Sequence, residues 1–268
     1  MEPVVRVVGK RRPLPIERFS GRMPAGKFRG GPFVDLHGVF AEGLDFSGRH
    51  FEHLSTDGST FIDCDFSRCR FETGYLDNSR QSVFRRCRFD RSNLKKLLPG
   101  PGRFEDCSFE EMKLTDWWPD SAEFIGCRFS GRFVGLYLAG TPQFPNDTPD
   151  RLIPWRTRNE FHDNDFSRAE LVFPDFRYGV PLSSSSWPTG PEYVFLDRWQ
   201  ERLVRAIAEV ATWSDTADRE AALWFIRLHR VDGREEQAEI LLRPSDFVSS
   251  LPDRVWARLV ARLQAPID

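Results

Sequence analysis

The chain has 268 residues, with 38 basic and 40 acidic side chains and a formal net charge of −2. That length holds one large domain or two modest ones and is ample to bury a core. Its near-neutral balance excludes a nucleic-acid footprint over the whole surface. No run of about 18 apolar residues occurs, so no membrane-spanning helix is expected. The N-terminal MEPVVRVVGKRRPLPIERFS lacks the apolar core of a signal peptide, which gives a cytoplasmic location as the expectation. Five cysteines in a chain without an export signal point to reduced thiols.

Residues 1–32 hold eight basic and two acidic groups. They read as a solvated, Gly/Pro-rich lead-in, since no aromatic residues are interleaved for base stacking. Gly21-x-x-x-x-Gly26-Lys27 imitates a phosphate-binding loop, but Phe28 replaces the magnesium-holding Ser/Thr and no apolar strand precedes it.

A period of five then takes over. Counting from Leu36 gives Ala41, Phe46, Phe51, Thr56, Phe61, Phe66, Phe71 and Leu76. After three extra residues the count resumes at Phe84 and runs through Phe89, Leu94, Pro99, Phe104, Phe109, Leu114, Pro119, Phe124, Phe129 and Val134; it returns at Phe161, Phe166, Leu171 and Phe176. Neither a helix nor a flat strand sustains that period, whereas a short extended piece followed by a corner does. Phe84, Phe104 and Phe124 also recur every 20 residues, as do Phe89, Phe109 and Phe129, and Cys87, Cys107 and Cys127. Four fives therefore make one turn.

Each of these cysteines stands two places before a Phe, as Cys64 and Cys69 do, with Asn164 in the same place before Phe166. Segments such as FIDCDFSRCRF (61–71), FRRCRFDRSNL (84–94) and FEDCSFEEMKL (104–114) resemble the pentapeptide-repeat family over roughly residues 33–178. The resemblance implies a mainly β fold, a right-handed quadrilateral β-helix with one side per five residues. Thr56, Pro99 and Pro119 depart from its apolar pattern, so the fourth side is expected to be irregular. Stacked coils satisfy one another's backbone groups, with Phe columns inside and cysteines as small buried filler. A metal at the cysteine ladder is not expected, because its spacing is that of repeated positions and no His joins it.

Outward charges alternate between coils. Residues 84–103 carry Arg85, Arg86, Arg88, Arg91, Lys95, Lys96 and Arg103 against Asp90, and residues 104–123 are the acidic inverse. At an offset of 20, Arg85 meets Glu105, Arg86 meets Asp106, Arg91 meets Glu111, Lys96 meets Asp116 and Arg103 meets Glu123. The pattern reads as register-fixing ion pairs rather than a phosphate track.

Residues 135–158 break the repeat as an inserted loop, and 179–191 (GVPLSSSSWPTGP) read as a Ser/Pro linker. From 192 to 268 a helical period appears, as a bundle, a cap or a dimerisation element. Phe195, Trp199, Leu203, Ile207 and Val210 mark a first helix, Thr216 to Val231 a second, Glu235–Leu242 a third, and Pro252 opens a fourth with Val255, Leu259 and Leu263 inward.

No catalytic motif, cofactor fingerprint or convergent metal set is legible. His50 and His53 are three apart but need not converge in an extended turn. The expectation is a non-enzymatic scaffold with no cofactor, binding a protein partner through loops and the helical tail. Trp117, Trp118 and Trp155 are its candidate interface, and a homodimer through the C-terminal helices is one form of it. The resemblance also implies an alternative, since some family members mimic B-DNA, occupy gyrase and confer quinolone resistance. Mimicry needs a strongly negative surface, which the basic coil interrupts. A third reading is nucleic-acid binding by the basic N-terminal arm.

Overall fold

The computed structural model describes residues 15–76, 80–143, 156–230 and 233–267. Phe61, Phe66, Phe71 and Leu76 bury one side chain on each of four successive sides before Phe84 returns over Phe61. The strands of this solenoid pair in parallel, one coil to the next: Phe33–Glu42 with His53–Asp57 and Thr60–Ile62, and Arg103–Glu105 with both Val83–Arg85 and Glu123–Ile125. It is a β-helix, the fold that the resemblance implies.

Phe61, Phe84, Phe104 and Phe124 stack with centroids 4.9 to 5.1 Å apart. The adjacent column is longer: Phe28, Phe46, Phe66, Phe89, Phe109, Phe129, Phe166 and finally Trp187, at steps of 4.0 to 5.0 Å. Rings of the two columns meet edge-on, as Phe84 and Phe89 do at 5.6 Å. Each such pair contributes about 0.5–1.5 kcal/mol beyond the area it buries.

The five cysteines are free and buried. Cys107 Sγ donates to the Phe84 carbonyl at 3.3 Å and Cys127 Sγ to that of Phe104 at 3.4 Å. In a second ladder the Cys69 thiol donates to Phe46 O at 3.1 Å, and Ser92 takes the next rung, donating to Phe66 O at 2.6 Å. Asn164 tops the first ladder, its Nδ2 reaching Phe124 O at 2.9 Å. The slot selects a small side chain that can donate to the coil below.

The solenoid starts before residue 33. Glu17–Met23 runs parallel to Phe33–Glu42, Gly26–Lys27 pairs with Leu44–Asp45, and Phe28 is the foot of the long column. The described part of the lead-in is thus a first coil. After Phe129 the count slips by one: Gly131 opposes Met112, so Phe133 and not Val134 fills the slot over Leu114. Gly131 lies at φ +97°, and a Cβ there would stand 2.3 Å from the Met112 carbonyl oxygen, so only glycine permits this tightened corner. The fourth side keeps the count instead of breaking it. Thr56, Pro99 and Pro119 are buried at their five-residue places, and the Thr56 hydroxyl donates to the Leu76 carbonyl.

Residues 179–191 are no free linker. Ser184 and Ser186 accept the Asp163 and Phe166 N–H groups at 2.7 Å, and Trp187 closes the aromatic column. Helices α1 (Trp199–Val210), α2 (Thr216–Leu228) and α3 (Asp253–Gln264) follow, packed around Trp199, Leu203, Phe225, Val255 and Leu259. Asp215 caps α2 by accepting the Asp218 N–H at 2.8 Å. Val231, the expected end of that helix, lies outside the described residues.

The helix expected over Glu235–Leu242 is absent. Ile240–Leu242 is instead a strand antiparallel to Val194–Leu196, with three consecutive residues buried, as a strand covered on both faces allows. Phe195 therefore sits in a strand, not on α1. This unit covers the last coil's free edge: the Tyr178 N–H donates to Gly233 O at 2.6 Å, Val180 N–H to Gln237 Oε1 at 3.0 Å, Ser183 N–H to Glu239 Oε2 at 2.7 Å and Phe173 N–H to Asp246 Oδ2 at 2.7 Å. An open edge templates aggregation, and repeat arrays close it with a polar-faced cap. The helical unit is that cap. Among the described residues no helix is long and apolar enough to cross a membrane.

Candidate functional site

Inward positions of the solenoid are fixed by packing, so any specific chemistry lies on its outward rows. Arg85–Glu105 (2.6 Å), Arg91–Glu111 and Arg103–Glu123 (3.2 Å) pair across coils at the offset of 20. Arg86 turns instead to Asp63 at 2.7 Å and Lys96 to Glu72 at 2.8 Å, both in the coil below. The basic coil is thus neutralised from both neighbours.

The fourth side is different. Leu98 stands directly over Tyr75. Trp118 occupies the same place one coil on, and the Tyr137 N–H bonded to Trp117 O at 3.1 Å sets Tyr137 above it. Tyr75, Leu98 and Trp118 are 43%, 54% and 59% exposed. Trp118 and Tyr137 meet edge-on at 6.4 Å. With coils about 4.8 Å apart, the row extends roughly 15 Å along the solenoid axis.

Trp117 does not join it. Strand alternation turns it inward, 3% exposed, against Phe109 at 5.8 Å and Phe124 at 6.0 Å. Its expected place at the interface is therefore corrected: it is core. Trp155 lies outside the described residues. Cys64, Cys87, Cys107 and Cys127 and the Phe89, Phe109 and Phe129 rings are interior, as their spacing predicts.

Beside Trp118 the chain turns the same corner in three successive coils, at Asp116, Gly135 and Phe173, all left-handed with φ of 52°, 66° and 49°. Backbone bonds from Asp116 N–H to Val134 O and from Gly135 N–H to Val172 O, both 2.8 Å, lock the three together. They and Trp118 line an open cleft of about 420 Å3 whose far wall is ionic. There Asp175 holds Arg177 and Arg234 at 2.8 Å each. The Arg177 guanidinium lies over the Tyr137 ring, 5.3 Å from its centroid. Arg177 is held above its usual pKa first by its hydrogen bond to Asp175, and burial pushes the Tyr137 phenol up. Arg234 comes from the cap, so the helical tail forms part of the same surface as Trp118.

Sequence reasoning missed Tyr75, Leu98, Tyr137, Asp116 and Phe173. A signal was present: Tyr75 precedes Leu76, Leu98 precedes Pro99 and Trp118 precedes Pro119, where the other sides put Asp65 before Phe66, Arg88 before Phe89 and Arg103 before Phe104.

Among the described residues, no three His, Cys, Asp or Glu side chains gather as a metal set. His50 is bound to Glu72 at 3.1 Å, and burial lowers the pKa of His53. Burial pushes the Cys69 thiol up to about 12 and that of Cys107 well above its ordinary value, so neither is poised as a nucleophile.

No family model matches the chain, and no curated protein matches it. Among solved structures it is similar to two trypsin-treated variants of QnrB1, a plasmid-mediated fluoroquinolone resistance protein. One is 15% identical with a TM-score of 0.21, covering 64% of this chain and 82% of that one. The other is 14% identical with a TM-score of 0.23, covering 59% and 91%. Full-length QnrB1 is 14% identical with a TM-score of 0.17, covering 63% and 90%. Nothing about function follows from values of this size.

Proposed function

We propose that the chain is a non-enzymatic protein-binding scaffold whose docking surface is the row Tyr75–Leu98–Trp118–Tyr137, bordered by the cap. The observation that carries this reading is the row itself: Tyr75, Leu98 and Trp118 stand exposed in register on one side, with the half-buried Tyr137 above them, where the other sides put charges. Contiguous exposed apolar surface marks an interaction site, and Trp and Tyr dominate the energetics of protein interfaces.

Fluoroquinolone resistance, the property of QnrB1, is not the first reading. A DNA mimic needs a continuous acidic surface, and here Arg85, Arg88 and Arg91 interleave with the acids. A nucleic-acid arm is disfavoured likewise, since Arg18, Arg22 and Lys27 face Asp35, Glu42 and Asp45 at 3.8, 3.7 and 3.1 Å.

The test is the triple variant Tyr75→Ser, Leu98→Ser, Trp118→Ser in the native host, followed by size-exclusion chromatography of the lysate. Loss of the wild-type complex at an unchanged melting temperature supports docking by this row. A complex that survives all three substitutions refutes it.

A further inference from the structure

Phe173 is the least expected residue of the cleft. The corner position it fills is left-handed, held one coil below by Gly135 and two coils below by Asp116, residue types that tolerate that conformation. A phenylalanine there is strained, and its ring is 53% exposed, so packing does not compensate. Left-handed corners recur along this solenoid, at Arg68, Arg86, Arg91 and Tyr178 among others, so what sets Phe173 apart is its exposed ring. Its backbone is over-determined, since the Phe173 N–H is held by Asp246 of the cap at 2.7 Å.

The corner column offers three different groups at successive levels. At the bottom is the Asp116 carboxylate, whose ion pair with Lys95 is loose at 3.9 Å. In the middle is Gly135, where a Cβ would stand only 3.0 Å from Asp116 Oδ1, so the level above the carboxylate is left without a side chain. At the top is the Phe173 ring, two coils or roughly 10 Å above Asp116. Trp118 closes one flank. On the opposite flank the Asp175 carboxylate binds both Arg177 and Arg234.

Resting on the docking reading above, we propose that this cleft receives an arginine side chain of the protein partner. Its guanidinium enters the level left open at Gly135, hydrogen-bonds the Asp116 carboxylate and stacks on the Phe173 and Trp118 rings. Guanidinium is favoured over ammonium because it is planar, weakly hydrated and able to stack and donate at once. The molecule already uses this chemistry beside the cleft, where Arg177 bonds a carboxylate while lying over Tyr137. An anionic ligand is disfavoured because Asp116 faces the open level and both arginines of the far wall are engaged.

The experiment titrates the full chain with acetyl-arginine-amide and with acetyl-citrulline-amide, its uncharged isostere, observing the Trp118 indole N–H by NMR, assigned through Trp118→Phe. The expected result is a saturable shift with the arginine probe, about tenfold weaker or absent with citrulline. Asp116→Asn abolishes the difference between the probes. Phe173→Gly weakens arginine binding without lowering the melting temperature, because it removes a strained residue whose ring packs little. Equal shifts with both probes, no shift with either, or arginine binding unchanged in Asp116→Asn overturns the proposal. Such a failure alongside loss of the complex in the triple variant removes the arginine and leaves the docking row; survival of the complex removes the row itself.

Discussion

The Phe129 and Phe166 rings stack 4.0 Å apart and nearly parallel, although the chain between them is almost twice the usual coil. The excursion leaves and returns at one place. Ser121 Oγ bonds both the N–H and the carbonyl of Gln143 at 2.9 and 2.6 Å, and the Asn159 N–H donates to Gly140 O at 2.9 Å. Its feet are thus pinned to each other and to the coil below. Replacing residues 144–155 with a short Gly/Ser link is expected to leave the melting temperature within a few degrees. Loss of the cooperative transition in calorimetry would contradict this.

Phe109 touches the rings above and below it, Phe89 and Phe129, both at 5.0 Å, and is fully buried. Phe109→Ala is expected to cost about 3–5 kcal/mol, because stacked neighbours on both sides limit collapse of the cavity. Urea denaturation measures it, and a loss below about 1 kcal/mol would mean that the column is not the core.

The inward half of this protein is legible because packing repeats it: a ring every five residues and a small donor two places earlier. The first coil is not legible, since Phe19 and Phe28 stand nine residues apart in a run of Gly and Pro that hides the register. Nor is the one-residue slip at Gly131, which is a matter of backbone conformation. Trp117 and Trp118 read alike until strand alternation sends one inward and one out. The docking row is encoded, but outward residues are under no packing constraint to repeat, and the extra residues between Tyr75 and Leu98 obscure their register. Phe173 carries no sequence signal, because its role depends on a left-handed corner.

Ion pairs should divide sharply by burial. Glu123 is enclosed, accepting from Gln81 at 2.8 Å, Arg103 at 3.2 Å and the Glu160 N–H at 3.1 Å. Glu123→Ala leaves those donors uncompensated and is expected to cost about 3–5 kcal/mol. Arg85→Ala removes an exposed partner of Glu105 and is expected to cost less than about 1 kcal/mol. Denaturation of the two variants side by side checks the contrast, and equal losses would contradict it.

Stability should fall at both ends of the pH scale, because burial disfavours the charged form of a histidine and of a thiol alike. Burial lowers His229 from 6.5 to about 4, so the folded state binds fewer protons than the unfolded one. Its contribution is complete above pH 6.5 and is lost as the pH falls towards 4. Burial raises Cys69 from 9.0 to about 12, so its contribution is complete below pH 9 and is lost as the pH rises towards 12. Melting temperatures from pH 4 to 11 should show both slopes, with the acid slope reduced in His229→Gln and the alkaline slope reduced in Cys69→Ala. Unchanged slopes in these variants would contradict the assignments.

Docking by the fourth side is tested most directly by photo-crosslinking in the native host, with benzoylphenylalanine placed at Leu98 and, as a control, at Lys113 on the adjacent side. The expected result is a discrete crosslinked protein from position 98 and none from 113, with a product of twice the chain's mass identifying a second copy. The same products from both positions, or none from position 98, would show that this row is not the docking surface.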